Sequence, residues 1–151
     1  MIEDKYTLAI IATLFANTIK NIIDYSFYTL DITEHCICHI AASTYFAIAD
    51  TKTIPALIIG VFSDYGVAMI LGLTIVLLLS YTGTAYFWLK GLSVGLFSWL
   101  LIYGIILRME VGRIEPLDPA TNLINLAEHL LLGGLISYFI MRYGRNYLSN
   151  D

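Results

Sequence analysis

The stretch that decides the fold runs from Ile54 to Ser80 and reads IPALIIGVFSDYGVAMILGLTIVLLLS. Crossing the ~30 Å hydrocarbon core of a bilayer takes about 20 mainly apolar residues in a helix, and this stretch is long enough. Within it, the run Ile75–Leu79 does not alternate between apolar and polar side chains, as a membrane β-strand would. Because lipid offers no partners to backbone polar groups, the stretch is predicted to be a transmembrane helix.

The composition of the whole chain agrees with this interpretation. Of its 151 residues, 58% are apolar and 13% are charged, about half of the roughly 25% charged residues in a typical soluble domain. A soluble fold of this size leaves roughly 30% of its unfolded surface in water, so it would expose too much apolar surface. The same composition excludes a disordered chain. Eight basic against twelve acidic residues argue against nucleic-acid binding.

Three further segments are apolar over a similar length, and the chain is expected to form one domain, residues 1–151. The predicted transmembrane helices cover about residues 6–28, 54–80, 85–107 and 122–141. Gly83 is expected to take the positive φ that ends the second helix before a tight turn. Asp118 is predicted to cap the fourth helix, with Pro119 at its first position. The predicted fold class is therefore all-α, a transmembrane four-helix bundle.

The first connection between helices, Thr29–Thr53, contains an apolar middle part, Ile37–Ala49. This part is too short to cross a bilayer. We expect it to form a short interfacial or re-entrant helix.

Inside a bilayer, helices associate through small residues and polar contacts, because lipid tails are as apolar as leucine. Each predicted helix carries a stripe of such residues that is expected to face its neighbours. The four stripes are Ala9, Thr13, Asn17, Lys20 and Asp24; Gly60, Asp64, Ala68 and Gly72; Gly91, Gly95 and Ser98; and His129, Gly133 and Ser137.

Antiparallel threading of the helices brings the ionisable side chains to a common depth, estimated from the ~1.5 Å rise per helical residue. The predicted polar cluster consists of Lys20, Asp24, Asp64, Tyr103, Glu128 and His129. We expect Lys20 to pair with Asp24 or Asp64. Three carboxylates beside one lysine cannot all stay ionised cheaply, so at least one should carry a proton or share one with His129.

Two interpretations of this cluster remain open. In the functional one it handles a proton or a cation, with Asp64 as the carrier and Glu128 and His129 as a relay. In the structural one it is a satisfied polar knot that fixes the register of the four helices.

The segment His35-Cys36-Ile37-Cys38-His39 offers ligand types that suit Zn²⁺ or Cu(I). The candidate metal ligands are therefore His35, Cys36, Cys38 and His39. Their spacing fits one ion poorly, because a C-x-C pair chelates less naturally than C-x₂-C. The alternative is two ordinary cysteines in an apolar segment, with no cofactor.

The last two predicted helices carry a pattern of short motifs: Lys90-Gly91, Gly95, Trp99, Tyr103-Gly104, His129 and Gly133. With these motifs the chain resembles the small, uncharacterised four-span membrane proteins of Gram-positive spore-forming bacteria. The resemblance in motifs covers the last two helices. In the rest of the chain only the arrangement of predicted helices is similar. It implies a bacterial cytoplasmic membrane and a single four-helix unit, and it implies no activity. The stretch His35–His39 is not part of the pattern.

Basic residues are equally numerous on the two sides of the predicted bundle, so the positive-inside rule does not decide its orientation. We expect both termini in the cytoplasm, because Lys90 can extend to that side. The expected partners are the lipid bilayer and further copies of the chain.

No nucleophile elbow, phosphate-binding glycine loop or H-E-x-x-H motif occurs in the sequence. The chain is therefore expected to be a non-enzymatic membrane protein. The alternatives are a subunit of a proton- or cation-coupled transporter or channel, and a metal-binding or redox membrane protein.

Overall fold

Helices make up most of the computed structural model, which describes residues 4–109 and 118–148, and these residues include no β-strand. The α-helices are α1 (Lys5–Thr29), α2 (Ile37–Ala42), α3 (Ile54–Thr82), α4 (Phe87–Trp99) and α5 (Pro119–Leu148). A π-helical segment, Leu100–Ile106, and a 3₁₀ turn, Leu107–Met109, extend α4, and a second 3₁₀ turn covers Ile48–Asp50.

The prediction of four long apolar helices is confirmed. By length and composition, four helices can cross a membrane: Lys5–Thr29, Ile54–Thr82, Phe87–Met109 and Pro119–Gly144. Besides shifts of one or two residues at other helix ends, two boundaries differ from the prediction. The third helix changes from α to π geometry at Leu100, and the fourth begins at Pro119 and continues to Leu148. Residues 110–117, within the predicted connection between these two helices, lie outside the described residues.

The helix ends follow the expected capping chemistry. Asp118 accepts hydrogen bonds from the backbone N–H groups of Ala120 (2.9 Å) and Thr121 (3.1 Å), so its predicted role as the cap of α5 is confirmed. Asp4 caps α1 in the same way, through the N–H of Thr7 at 2.8 Å. These hydrogen bonds from threonines hold the pKa of both carboxyls below the usual value. Gly83 has the predicted positive φ, 77°, where α3 ends.

The four long helices run antiparallel to their neighbours along the chain. α1 packs on α3 and α5, and α4 packs on the same two helices, while α3 and α5 also contact each other. We call the end that holds residues 30–53 and Asp118 the loop end. The opposite end, with Lys5 and Gly83, is the turn end. The short helix α2 packs on α3 at the loop end.

Small residues bring the backbones together, as the stripes predicted. Every stripe residue is buried except Asp64, which keeps a small exposed fraction. The closest approach joins α4 to α5: a Cβ atom on Gly133 would overlap the carbonyl oxygen of Gly91, and one on Gly95 would overlap the carbonyl of His129. Backbones this close allow dispersion contacts that larger side chains would prevent.

The two halves of the interior differ in polarity. Toward the turn end the core is apolar, with Leu8, Val76, Leu79, Ile136 and Ile140 fully buried. Toward the loop end the buried side chains are largely polar or charged. The candidate site lies in this second half.

Candidate polar site within the helix bundle

A buried ion pair lies at the centre of the site. Lys20 Nζ donates to Asp64 Oδ1 at 2.7 Å, and the two side chains are only 2% and 10% exposed. The other oxygen of Asp64 accepts from the side-chain amides of Asn17 (2.7 Å) and Asn21 (2.9 Å). Residues 17, 20 and 21 share one face of α1, since helical residues three and four apart are neighbours. Asp64 of α3 is therefore bonded to three donors on one helix.

Asp24 lies one turn beyond Lys20 on α1 and has a different partner. Its Oδ2 accepts a hydrogen bond of 2.9 Å from the backbone N–H of Ile37, the first residue of α2. Of the two partners predicted for Lys20, the structure shows Asp64. Asp24 instead attaches the start of the short helix to α1.

On the opposite side of the site, His129 of α5 faces Tyr103 of the π segment. Their rings meet edge to face, with centroids 5.5 Å apart. His129 Nδ1 donates to the carbonyl oxygen of Asn125 at 2.8 Å, which leaves Nε2 as the acceptor of the ring. Both side chains are buried, at 4% and 7% exposure.

Glu128 is buried at 3% exposure, yet neither carboxyl oxygen has a hydrogen-bond partner among the described residues. The hydroxyl of Tyr103 and the amide nitrogen of Asn125 are also buried and also have no hydrogen-bond partner among the described residues. The charges of Lys20, Asp24 and Asp64 act on the Glu128 carboxyl. A buried carboxylate is costly unless it is paired or protonated, so this group calls for a proton or a ligand beyond what the described residues supply.

A cavity of about 140 Å³ opens beside the ion pair. Its polar lining includes Lys20, Asp64, Tyr103 and His129, and Ile37 and Leu132 are among its apolar walls. The volume suffices for several water molecules or a small ligand.

A polar face of α5 connects this region with the loop end. Thr121, Asn125 and Glu128 follow one another at spacings of four and three, and all three are buried at 3% exposure. On the same side of α5, one and two turns farther toward the turn end, lie the buried apolar residues Leu132 and Ile136. The polar region is therefore continuous toward the loop end and is bounded by apolar packing in the other direction.

The candidate metal ligands lie at the loop end, apart from this interior site. Cys36 and Cys38 form a disulfide. Ligand atoms of Cys36, Cys38 and His39 come within 4.8 Å of one another, a group that does not include His35. Because the sulfur atoms are bonded to each other, neither is a thiolate, and in this form the residues do not fit Zn²⁺ or Cu(I).

His39 packs against the disulfide. Its Nδ1 accepts from the backbone N–H of Cys36 at 3.2 Å and lies 3.3 Å from Cys36 Sγ. The ring meets Tyr28 edge to face at 5.0 Å. Burial, with smaller contributions from the charges of His35 and Lys52, lowers the pKa of His39 to about 4.

The structure thus buries five of the six predicted cluster residues, leaves the side chain of Asp64 10% exposed, and divides the six among three local groups. Lys20 pairs with Asp64, Asp24 holds α2, and Tyr103 meets His129 near the unpartnered Glu128. The prediction missed Asn21 and Asn125. Helical spacing could have identified both, since each lies three or four residues from a charged or histidine residue on the same helix.

No protein-family model, curated protein or solved structure matches this chain. The resemblance to the four-span proteins of spore-forming bacteria therefore stays a prediction.

Proposed function

We propose that this chain is a multi-pass integral membrane protein whose four long helices cross the bilayer. The support is an exterior that is apolar on every long helix. Phe15, Phe62, Phe97 and Leu123, one on each, are between 63% and 75% exposed, while charged side chains are buried inside. A water-soluble bundle has the reverse arrangement. Exposed tyrosines near the turn end suit a membrane–water interface: Tyr6, Tyr81, Tyr86 and Tyr143.

The proposed location is a bacterial cytoplasmic membrane with both termini in the cytoplasm. The loop end would then face outward, and disulfides such as Cys36–Cys38 persist mainly outside the reducing cytosol. After mild reduction of whole cells, a membrane-impermeant maleimide should label Cys38. A Thr84→Cys variant that lacks both native cysteines should react only after permeabilisation. The opposite pattern contradicts this orientation.

Within the bundle, the proposed function is the binding of a proton or a small cation at Glu128. The observation that carries this proposal is the pair of unpartnered oxygens on a side chain that is 3% exposed. Either a proton or a cation neutralises the carboxylate and removes the cost of burying it. Tyr103 adds a buried hydroxyl without a partner, and the unpartnered Nδ2 of Asn125 is a donor that suits a carboxylate rather than a cation.

The contacts favour Glu128 over Asp64 as the carrier. Asp64 accepts from Lys20, Asn17 and Asn21, so its oxygens are already occupied. This arrangement suits the structural interpretation of the cluster, a polar knot that joins α1 to α3. We therefore assign the two roles to different residues: Asp64 holds the helices together and Glu128 binds the ligand.

Access and packing support a role as one subunit of a proton- or cation-coupled transporter, without enzymatic activity. The polar face of α5 leads from the loop end to Glu128, and apolar side chains such as Leu132 and Ile136 pack beyond it. A ligand that enters from the loop end would need a rearrangement, or a path formed with another copy, to leave at the turn end. Association into a homo-oligomer is part of this proposal.

The test measures ligand binding through thermal stability. A ligand that binds the folded state raises the melting temperature by mass action. The purified chain in mild detergent should melt higher with Na⁺, K⁺ or protons than in a choline buffer at high pH. Glu128→Gln should lose this response. Glu34→Gln, at an exposed position on the loop end, is the matched control and should keep it.

Vesicles separate the ligands and test transport. Reconstituted chain should dissipate a pH gradient or a Na⁺ gradient faster than empty vesicles, and Glu128→Gln should abolish the difference. An unchanged thermal response in Glu128→Gln contradicts the binding site. A normal thermal response without flux supports binding and contradicts transport by this chain alone.

A further inference from the structure

The disulfide at the loop end joins two cysteines with unequal access. Cys36 is buried at 1% exposure, whereas Cys38 keeps part of its surface accessible. Thiol–disulfide exchange begins with attack by a thiolate on one sulfur, and access decides which sulfur is attacked. A thiolate from the aqueous phase therefore reaches Cys38 first, and Cys36 becomes the leaving group.

The leaving sulfur has a base beside it. Nδ1 of His39 lies 3.3 Å from Cys36 Sγ, and the backbone N–H of Cys36, which donates to the same nitrogen at 3.2 Å, fixes the ring. Because it accepts this bond, Nδ1 has its lone pair directed toward Cys36. A neutral histidine in this position has no proton at Nδ1 to give, but it can accept a hydrogen bond from the Cys36 thiol that forms on reduction and so stabilise the reduced form.

The charged groups around the disulfide and His39 come from the first connection and from α1. His35 and Lys52 act on His39 from the loop, and Lys52 Nζ lies 5.8 Å from the centre of the Tyr28 ring. Asp24 of α1 holds the backbone between the cysteines through the N–H of Ile37. Positive charge near a leaving thiolate favours exchange.

The backbone around the disulfide is tightly packed. A Cβ atom on Gly60 of α3 would overlap the carbonyl oxygen of Cys38. Together with the bond from Ile37 to Asp24, this contact holds both cysteines between α1 and α3. The sulfur atoms, Nδ1 of His39 and the accessible side of Cys38 are thus kept in a fixed arrangement.

From this geometry we propose that Cys36–Cys38 is an exchangeable disulfide that accepts two electrons from a dithiol arriving from the aqueous side of the loop end. One thiolate of the dithiol attacks Cys38 Sγ, a mixed disulfide forms, and the bond between the two cysteine sulfurs breaks. Cys36 leaves as a thiolate and takes up a proton from water, and the S–H group that forms can donate to Nδ1 of His39.

The second step completes the exchange. The other thiolate of the dithiol attacks its own sulfur in the mixed disulfide and closes a disulfide within the substrate. Cys38 is released as a thiolate and is protonated. In total the substrate loses two electrons and two protons, and the chain gains both as two thiols.

The first experiment uses the native chain in mild detergent. Dithiothreitol is added to the folded chain, the reaction is stopped by acid precipitation, and the unfolded chain is then tagged at neutral pH with a maleimide that adds mass, so that the buried Cys36 is reached as well. We expect no tag before reduction and two tags after it. Two tags before reduction, or two tags only when the chain is unfolded before dithiothreitol is added, would overturn the proposal.

Variants then test the direction of attack and the base. In Cys36→Ser the remaining Cys38 should react with a chromogenic aromatic disulfide about tenfold faster than Cys36 does in Cys38→Ser. His39→Ala should lower the ratio of reduced to oxidised chain at equilibrium with dithiothreitol about fivefold, because the Cys36 thiol loses its hydrogen-bond acceptor, and His35→Ala should lower it less. Equal rates in the two serine variants would contradict attack at Cys38. Glu128→Gln should leave these rates and this ratio unchanged, so the proposal is separable from the cation site.

Discussion

Lys20 Nζ donates to Asp64 Oδ1 across 2.7 Å, and this ion pair joins α1 to α3 inside the bundle. Both oxygens of Asp64 have partners, because two asparagine amides of α1 donate to the second oxygen. All three donors lie on one helix face, so a shift of α3 by one turn would break every one of these bonds. The ion pair therefore specifies the register of the two helices.

Removing one partner of this pair should be costly. Lys20→Met leaves the Asp64 carboxylate buried without its cation, and breaking a buried pair in this way costs about 3 to 5 kcal/mol. In the double variant Lys20→Met/Asp64→Asn, an uncharged amide can still accept from the asparagines, so most of the loss should be recovered. Thermal unfolding in detergent measures both changes. Lys52→Met, at an exposed position, is the control, and single and double variants of equal stability would contradict the pairing.

Substitution by alanine should have opposite effects on stability at a glycine in the contact between α4 and α5 and at a glycine outside it. Gly133→Ala should destabilise the bundle, because its Cβ atom would overlap the backbone of Gly91. Gly66→Ala is the matched control, since nothing lies within 4 Å of its Cβ position. There alanine should be neutral or stabilise the helix by roughly 0.5 to 1 kcal/mol. Equal melting temperatures for the two variants would show that α4 and α5 are not this close.

His39 predicts a dependence of stability on pH. Burial lowers its pKa in the folded chain to about 4, from an ordinary value of 6.5. The unfolded chain therefore binds a proton at this residue first as the pH falls, so the contribution of His39 to stability is complete above pH 6.5 and is lost toward pH 4.

Melting temperatures across this pH range, compared between the native chain and His39→Gln, isolate the contribution of His39. The native chain should lose more stability on acidification than the variant. His35→Gln should reduce the slope only in part, because the charge of His35 is a secondary cause of the shift. Parallel curves for the native chain and His39→Gln would contradict a buried His39.

The four helices and their inward faces could be predicted because spacing alone determines them. Gly60, Ala68 and Gly72 recur at multiples of four, so they share a face wherever the helix forms. Asp118 before Pro119 is a local signal, and it led to the correct cap of α5.

The details of the site depend on tertiary contacts that spacing does not contain. The change from α to π geometry at Leu100 has no marker in the sequence, yet Tyr103 of this π segment faces His129. The choice of Asp64 over Asp24 as the partner of Lys20 depends on α2, whose N–H group at Ile37 occupies Asp24. Sequence spacing also left open whether Cys36 and Cys38 bind a metal or each other.

The most direct test of a cation site at Glu128 is infrared difference spectroscopy of the carboxyl groups. Spectra of the chain in lipid would be compared between acidic and alkaline pH, and before and after addition of Na⁺ or K⁺. A carboxyl band that responds to pH or to one of these cations should be present in the native chain and in Glu34→Gln, and should be missing from Glu128→Gln. Identical difference spectra for the native chain and Glu128→Gln would contradict the proposal that Glu128 binds the proton or cation.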